Sequence, residues 1–185
     1  MAKQILTITR FGNPVLRRVA QRLSVEEILA VTTQELISSM FELLRSDNYG
    51  VGLAAPQVGK SLALSTIGIK PTPNRPDLER FDTVIINPSY EGLGRRFAMW
   101  EGCISCGTGN NTLYAKVPRF RKIQASWQDT QGKEHSQILE GFVAHVLQHE
   151  TDHLNGVLFI DKIKDTKTVM MADEYRKRIV EKRNT

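Results

Sequence analysis

Residues 141–155 read GFVAHVLQHETDHLN, and this stretch decides the interpretation of the fold. Its apolar residues recur at helical spacing on two adjoining sides, so it predicts a helix buried on both flanks. Asn155 and Gly156 are residues suited to a left-handed helix end. The helix carries His149, Glu150 and His153 in the pattern HExxH. We therefore expect it to be a central helix that also carries chemistry.

Outward from this helix, the pattern predicts locally connected strands and two further helices. A capping box at Ser24 and Glu27 starts a helix that runs to Ser46, and a charged helix is expected over 166–182. Short strands are predicted at 62–69, 83–88, 95–100, 122–129, 134–139 and within 156–161. No strand-helix-strand unit repeats, so we expect an α+β fold of antiparallel strands packed around the HExxH helix. Residues 1–165 are expected to form a catalytic domain, with 166–185 as its helical extension.

The composition limits partners and location. The chain has 25 Lys and Arg against 20 Asp and Glu, a net charge of +5 that is spread over short clusters. A scattered charge does not predict a DNA-binding face. No apolar run is long enough for a membrane span, and Arg10 interrupts the start where a signal peptide would stay apolar. With two cysteines only, we expect a cytoplasmic protein in a reducing environment.

His149 and His153 predict a metal site. Residues four apart on a helix project from one face, so both imidazoles can reach one ion. Glu150 lies beside that ion, where a carboxylate can accept a proton from a bound water and return it to a leaving amine. The residues alone therefore indicate a mononuclear metal hydrolase.

The third ligand is left open by the residues themselves. Glu174 has a tolerable spacing for a zincin-type metallopeptidase, whereas Phe159 stands where a metzincin needs histidine. Cys103 or Cys106 could supply a thiolate, and both together would make a closed, structural Cys2His2 site without catalysis. A redox role for the two cysteines is disfavoured because loop residues follow them.

Three segments resemble the signature motifs of one family, the peptide deformylases. They are GVGLAAPQ at 50–57, EGCIS at 101–105 and QHETDH at 148–153, and the flanking segments 5–17 and 153–161 are similar as well. The resemblance implies an enzyme that hydrolyses the formyl group from the N-terminal formyl-methionine of new polypeptides and releases formate.

The resemblance also implies the site residues. Cys103, His149 and His153 would hold one divalent metal, Fe(II) in the native enzyme, with Zn, Ni or Co able to replace it. Glu150 would be the acid and base, and the Gln57 side chain with the Ile104 N–H would bind the formyl oxygen. Substrate-binding residues would be Gly50, Val51, Gly52, Glu101, Gly102, Phe142 and Val146, with Met99 as a further candidate for the methionine pocket.

Two features depart from the family pattern. The loop after Ser105 is longer than usual and lacks the arginine that often contacts substrate in the family. His145, one turn before His149, is expected at the pocket wall rather than as a ligand. The expected partners are nascent formyl-methionine peptides and, through the net positive C-terminal helix, the ribosomal tunnel exit.

Overall fold

The computed structural model describes residues 6–46, 50–72 and 75–181. Its main feature is an antiparallel sheet in the order β1-β2-β3-β4-β5, with a short β6 paired to β4. This arrangement confirms the predicted α+β class. The strands are β1 (Gly52–Ala54), β2 (Leu64–Ile69), β3 (Phe81–Gly102), β4 (Leu113–Gln128), β5 (Glu134–Glu140) and β6 (Met170–Met171).

Strand β3 is longer than the sequence predicts, because the expected strands 83–88 and 95–100 are parts of one continuous strand. Its pairing with β4 shifts register at two bulges, one after Ile86 and one after Leu93. Asn87 at the first bulge has φ 52° and Gly94 at the second has φ 86°. Bulges bend a strand and increase its twist, so the turn-like residues inside β3 bend the strand without ending it.

Two helical layers cover opposite faces of the sheet. Helices α1 (Val25–Leu29) and α2 (Val31–Ser46) share a core with Val84 and Ile86, whereas α3 (Gly141–Leu154) shares a core with Ile85. Neighbouring residues of β3 thus point to different layers, as the strand period of two requires. The central helix predicted at 141–155 is present as α3.

The first predicted helix is divided in two. Ser24 and Glu27 form the predicted capping box, but Ala30 adopts extended backbone angles of φ −59° and ψ 137°. Helix α1 therefore ends after one turn, and α2 starts afresh at Val31. Within the described ranges no helix is both long and apolar enough to cross a lipid bilayer.

The segment after α3 differs from the prediction. Residues 156–161 do not form a strand, because the Asp161 carboxylate accepts from Leu158 N–H at 2.8 Å and closes the 3-10 turn Phe159–Lys162. The predicted helix over 166–182 begins late, since Thr166–Thr168 is a 3-10 turn and β6 follows it. Helix α4 (Ala172–Tyr175) continues as a π turn, Arg176–Val180, and residues 182–185 lie outside the described residues.

Candidate active site

A cavity of about 660 Å³ opens between β1, the end of β3 and α3. Most of the residues that the sequence predicts for the site line it. They are Gly50, Val51, Gly52, Gln57, Glu101, Gly102, Cys103, Ile104, Phe142, Val146, His149 and Glu150. Met99 does not line the cavity, so it is not placed for the methionine pocket, and His153 lies buried behind the lining.

Cys103, His149 and His153 form a group that could hold a metal ion, with donor atoms all within 4.8 Å of one another. Cys103 Sγ is 3.3 Å from His153 Nε2, which is 3.2 Å from His149 Nε2. Tetrahedral bonds of about 2.0–2.3 Å give ligand separations close to these values. A thiolate with two imidazoles suits zinc or ferrous iron, so the donor set fits the implied metal.

The pKa values of His153 and Cys103 bear on how a metal would bind. Burial, together with the charge of His149, lowers the pKa of His153 well below its usual range, which keeps its ring neutral. A hydrogen bond with Cys106 and burial raise the pKa of the Cys103 thiol. A coordinating thiol loses its proton to the charge of the ion. Metal binding is therefore expected to release a proton from Cys103.

Glu101 orients the ligand His149. His149 Nδ1–H donates to Glu101 Oε1 at 2.5 Å, which leaves Nε2 facing the other two donors. Burial by itself would raise the pKa of Glu101, but the charge of His149 and hydrogen bonds from His145, His149 and Arg119 hold it well below its usual range. The carboxylate of Glu101 therefore stays ionised.

Arg119 extends this network across the core. Its guanidinium donates to both oxygens of Glu101, at 2.9 and 2.6 Å, and also to the Asp152 carboxylate. Lys162 Nζ lies 2.9 Å from the other oxygen of Asp152. The Arg119 side chain is 1% exposed, so its charge depends on these carboxylates for compensation.

Glu150 faces the cavity from α3 directly beside strand β1. A Cβ built on Gly52 would stand 2.6 Å from Glu150 Cδ, so only glycine leaves room for this carboxyl group. Burial raises the pKa of Glu150 to about 7, against the lowering effect of His149. Among the described residues Glu150 Oε2 has no hydrogen-bond partner. Such a carboxyl group is suited to exchange protons near neutral pH.

The side-chain amide of Gln57 also faces the cavity. Its Oε1 accepts from Ala54 N–H at 2.8 Å, which directs Nε2 toward Cys103 Sγ at 3.5 Å and Ser105 Oγ at 3.3 Å. Ile104 begins the 3-10 turn Ile104–Cys106. The first N–H groups of a helical turn have no partner within the turn. Gln57 and Ile104 therefore offer two donors beside Cys103.

The other candidate ligands lie elsewhere. Cys106 is buried next to Cys103 but is not part of the donor group found among the described residues. Glu174 pairs with Arg178 on an open surface. His145 lines the cavity as predicted, yet it also bonds Glu101 at 2.7 Å. Sequence reasoning missed roles for Ser105, Arg119 and the cavity-lining Tyr175, because nothing in local spacing connects them to α3. It also missed Asp152, which lies on α3 but whose partner Arg119 is 33 residues away in the chain.

The comparisons with known proteins agree with this geometry. A sequence profile described as polypeptide deformylase matches residues 5–169. The chain belongs to the polypeptide deformylase family. The deformylase of Leptospira biflexa is 39% identical over 165 residues, which cover 86% of this chain and 88% of that protein. Peptide deformylase 2 of a Nostoc species is 36% identical over 178 residues, covering 95% and 96% of the two chains.

Solved deformylase structures have the same fold. A class I type b peptide deformylase from Acinetobacter baumannii, solved with Met-Ala-Ser bound, superposes with a TM-score of 0.79 at 29% identity. That match covers 88% of this chain and all of the other. The deformylase of Thermotoga maritima gives a TM-score of 0.72 at 32% identity, covering 88% and 99%. The chain is thus a deformylase, an enzyme that removes the formyl group of formyl-methionine, and the metallopeptidase and structural-site alternatives have no support.

Proposed function

We propose that this deformylase acts through a divalent metal held by Cys103, His149 and His153, and releases formate from new polypeptides. The observation that carries the proposal is the convergence of these three donors within 4.8 Å of one another, beside a cavity that Cys103, His149 and Glu150 line. Ferrous iron is the proposed native metal, with Zn, Ni or Co as substitutes, because thiolate and imidazole accept all of them.

The chemistry divides between the metal and the side chains. When bound, the metal supplies an activated water for attack on the formyl carbon. Glu150 accepts the proton of that water and returns it to the departing amine nitrogen. Gln57 Nε2–H and the Ile104 N–H donate to the formyl oxygen as negative charge develops on it, and one such donor is worth about 3–4 kcal/mol.

The substrate peptide is proposed to add to the open edge of β1. Val51 O accepts from Gly68 N–H at 2.9 Å, so the backbone groups of Gly50 and Gly52 alternate to the other side, away from β2. An extended peptide can pair there as an added strand. Its methionine side chain would lie against Val51, Phe142 and Val146. The Met-Ala-Ser bound to the Acinetobacter enzyme supports a site for a short extended peptide.

Glu150→Gln tests the proposed chemistry. We expect the variant to keep its metal and lose formate release by at least about 100-fold, the usual contribution of a positioned acid or base. Metal content by elemental analysis and formate from formyl-Met-Ala-Ser are the two measurements. Activity within tenfold of the wild type would contradict the assignment of Glu150.

We further propose that the C-terminal residues 166–185 extend the catalytic domain 1–165 and dock at the ribosomal tunnel exit. Lys167, Arg176, Lys177 and Arg178 outnumber Asp173, Glu174 and Glu181, and Lys182 and Arg183 beyond the described residues add two more positive charges. Basic residues bind RNA phosphates in a salt-dependent way. Such docking implies work in the cytoplasm, where two free thiols are kept reduced.

A further inference from the structure

The C-terminal segment is fixed to the rim of the active-site cavity. Strand β6 pairs with β4 so that Met170 lies opposite Tyr114. The Arg176 guanidinium donates to Asn110 Oδ1 in the loop that follows Cys103. One backbone attachment just before α4 and one side-chain attachment just after it therefore hold this helix against the rim.

Tyr175 completes an aromatic wall of the cavity. Its ring stacks on Tyr114 with centroids 4.2 Å apart and planes within 4°. It also packs at 58° against Trp100, with centroids 5.4 Å apart. Gly102 provides the space, since a Cβ there would stand 2.8 Å from the Tyr114 ring. All three rings line the same cavity as the metal donors Cys103 and His149.

This aromatic wall, formed by Trp100, Tyr114 and Tyr175, is separate from the groups that carry out the reaction. None of its rings belongs to the donor group or to the surface assigned to the methionine side chain. Burial raises the pKa of Tyr114, so its hydroxyl stays neutral. Tyr175 also lies beyond residues 5–169, the part that the family profile matches. Family membership therefore assigns no role to this residue.

The aromatic wall lines the part of the cavity that is not assigned to the formyl group or to the methionine side chain. We propose that Tyr175 is a specificity-determining residue that contacts the second or third residue of the formyl peptide and favours apolar or aromatic side chains there. The proposal rests on the proposed function for the position of the first residue. Flat, neutral rings bind aromatic and apolar groups better than charged ones.

Substrate selectivity tests this proposal. The kcat/KM ratio of formyl-Met-Phe-Phe to formyl-Met-Gly-Gly is measured in wild type, Tyr175→Ala and Tyr175→Phe, with formyl-Met amide as the substrate that lacks later residues. We expect Tyr175→Ala to lower the ratio about two- to tenfold through KM, as the loss of one aromatic contact predicts. Tyr175→Phe should keep the wild-type ratio, and formyl-Met amide should be unaffected.

Two results would overturn the proposal. One is an unchanged ratio in Tyr175→Ala, and the other is an equal loss on every substrate including formyl-Met amide, which indicates a structural role. Binding of Met-Phe-Phe and Met-Gly-Gly by calorimetry gives the same comparison without turnover. If the metal-loaded wild type released no formate, the proposed function would fail, and the binding ratio would still decide the role of Tyr175.

Discussion

Glu150 on α3 occupies the space that a side chain at Gly52 on β1 would fill. The built Cβ lies 2.6 Å from Glu150 Cδ and 2.9 Å from Glu150 Cγ. Real side-chain contacts do not approach so closely, so the absence of a side chain on β1 leaves the space in which the carboxyl group stands. The position of the proposed acid and base thus depends on glycine at this point of the edge strand.

Gly52→Ala is expected to displace the Glu150 carboxyl group and lower kcat/KM at least about tenfold, because a misplacement near 1 Å can cost on the order of 100-fold. The measurement is formate release together with metal content, which should not change. Gly68→Ala on the neighbouring strand is the matched control, since its Cβ would meet Leu44 Cδ2 at 3.3 Å. Equal losses in both variants would indicate general damage to the sheet.

Cys103→Ala is expected to lose the metal, whereas Cys106→Ala and Glu174→Ala should retain it. The reason is that Cys103 lies within the donor group, while Cys106 lies beside it and Glu174 is paired with Arg178. Elemental analysis of anaerobically purified protein measures the outcome. Loss of metal in Cys106→Ala would instead favour the structural Cys2His2 site.

Arg119→Met is expected to lower the free energy of unfolding by about 3–5 kcal/mol, because it removes the buried guanidinium that compensates both Glu101 and Asp152. Arg17→Met is the matched control, since the Arg17 and Asp161 side chains are 44% and 38% exposed. An exposed pair contributes about 0–1 kcal/mol. Denaturant unfolding measures both variants, and similar small losses would show that the buried network adds little.

Reversing the charges of the exposed residues Lys177 and Arg178 to Glu is expected to weaken co-sedimentation with ribosomes, most clearly at low salt. These substitutions are preferable to truncation, which would also remove β6 and Tyr175. The control is the same reversal at Arg95 and Arg96 on β3. Turnover of a short formyl peptide should be unchanged, and equal weakening in the control would contradict a specific anchor in the C-terminal segment.

The sequence predicted the parts of the site that lie close together in the chain. His149, Glu150 and His153 follow from helical spacing, and the apolar pattern around them predicted the central helix. The boundaries of β3 were not predictable in the same way. The segment between the predicted strands 83–88 and 95–100, which contains Gly92 and Gly94, interrupts the strand pattern, whereas pairing with β4 overrides that local preference. The helix predicted from Ser24 is present, but the sequence did not predict that it breaks at Ala30 into α1 and α2.

Long-range contacts account for what the sequence missed. Arg119 meets Asp152 across 33 residues of chain, and His145 meets Glu101 across 44. Sequence periodicity does not reveal such pairs. Arg119 does continue the alternate, buried positions of Ala115 and Val117 in β4, and an arginine at such a position could have raised the question. The same holds for Tyr175, which reaches the cavity only because β6 joins the sheet.

The short edge strand β1 also bears on solubility and self-association. An unpaired strand edge that accepts a peptide is equally a template for the strand of another molecule. Here the edge strand is only three residues long, Gly52–Ala54, and the Ala54 N–H already donates to Gln57 Oε1. The chain then passes at once into the 3-10 turn Ala55–Val58, where Pro56 has no N–H to donate. The edge can therefore pair with a short, extended peptide at one end. It is too short to form the row of backbone hydrogen bonds with another molecule that would begin aggregation.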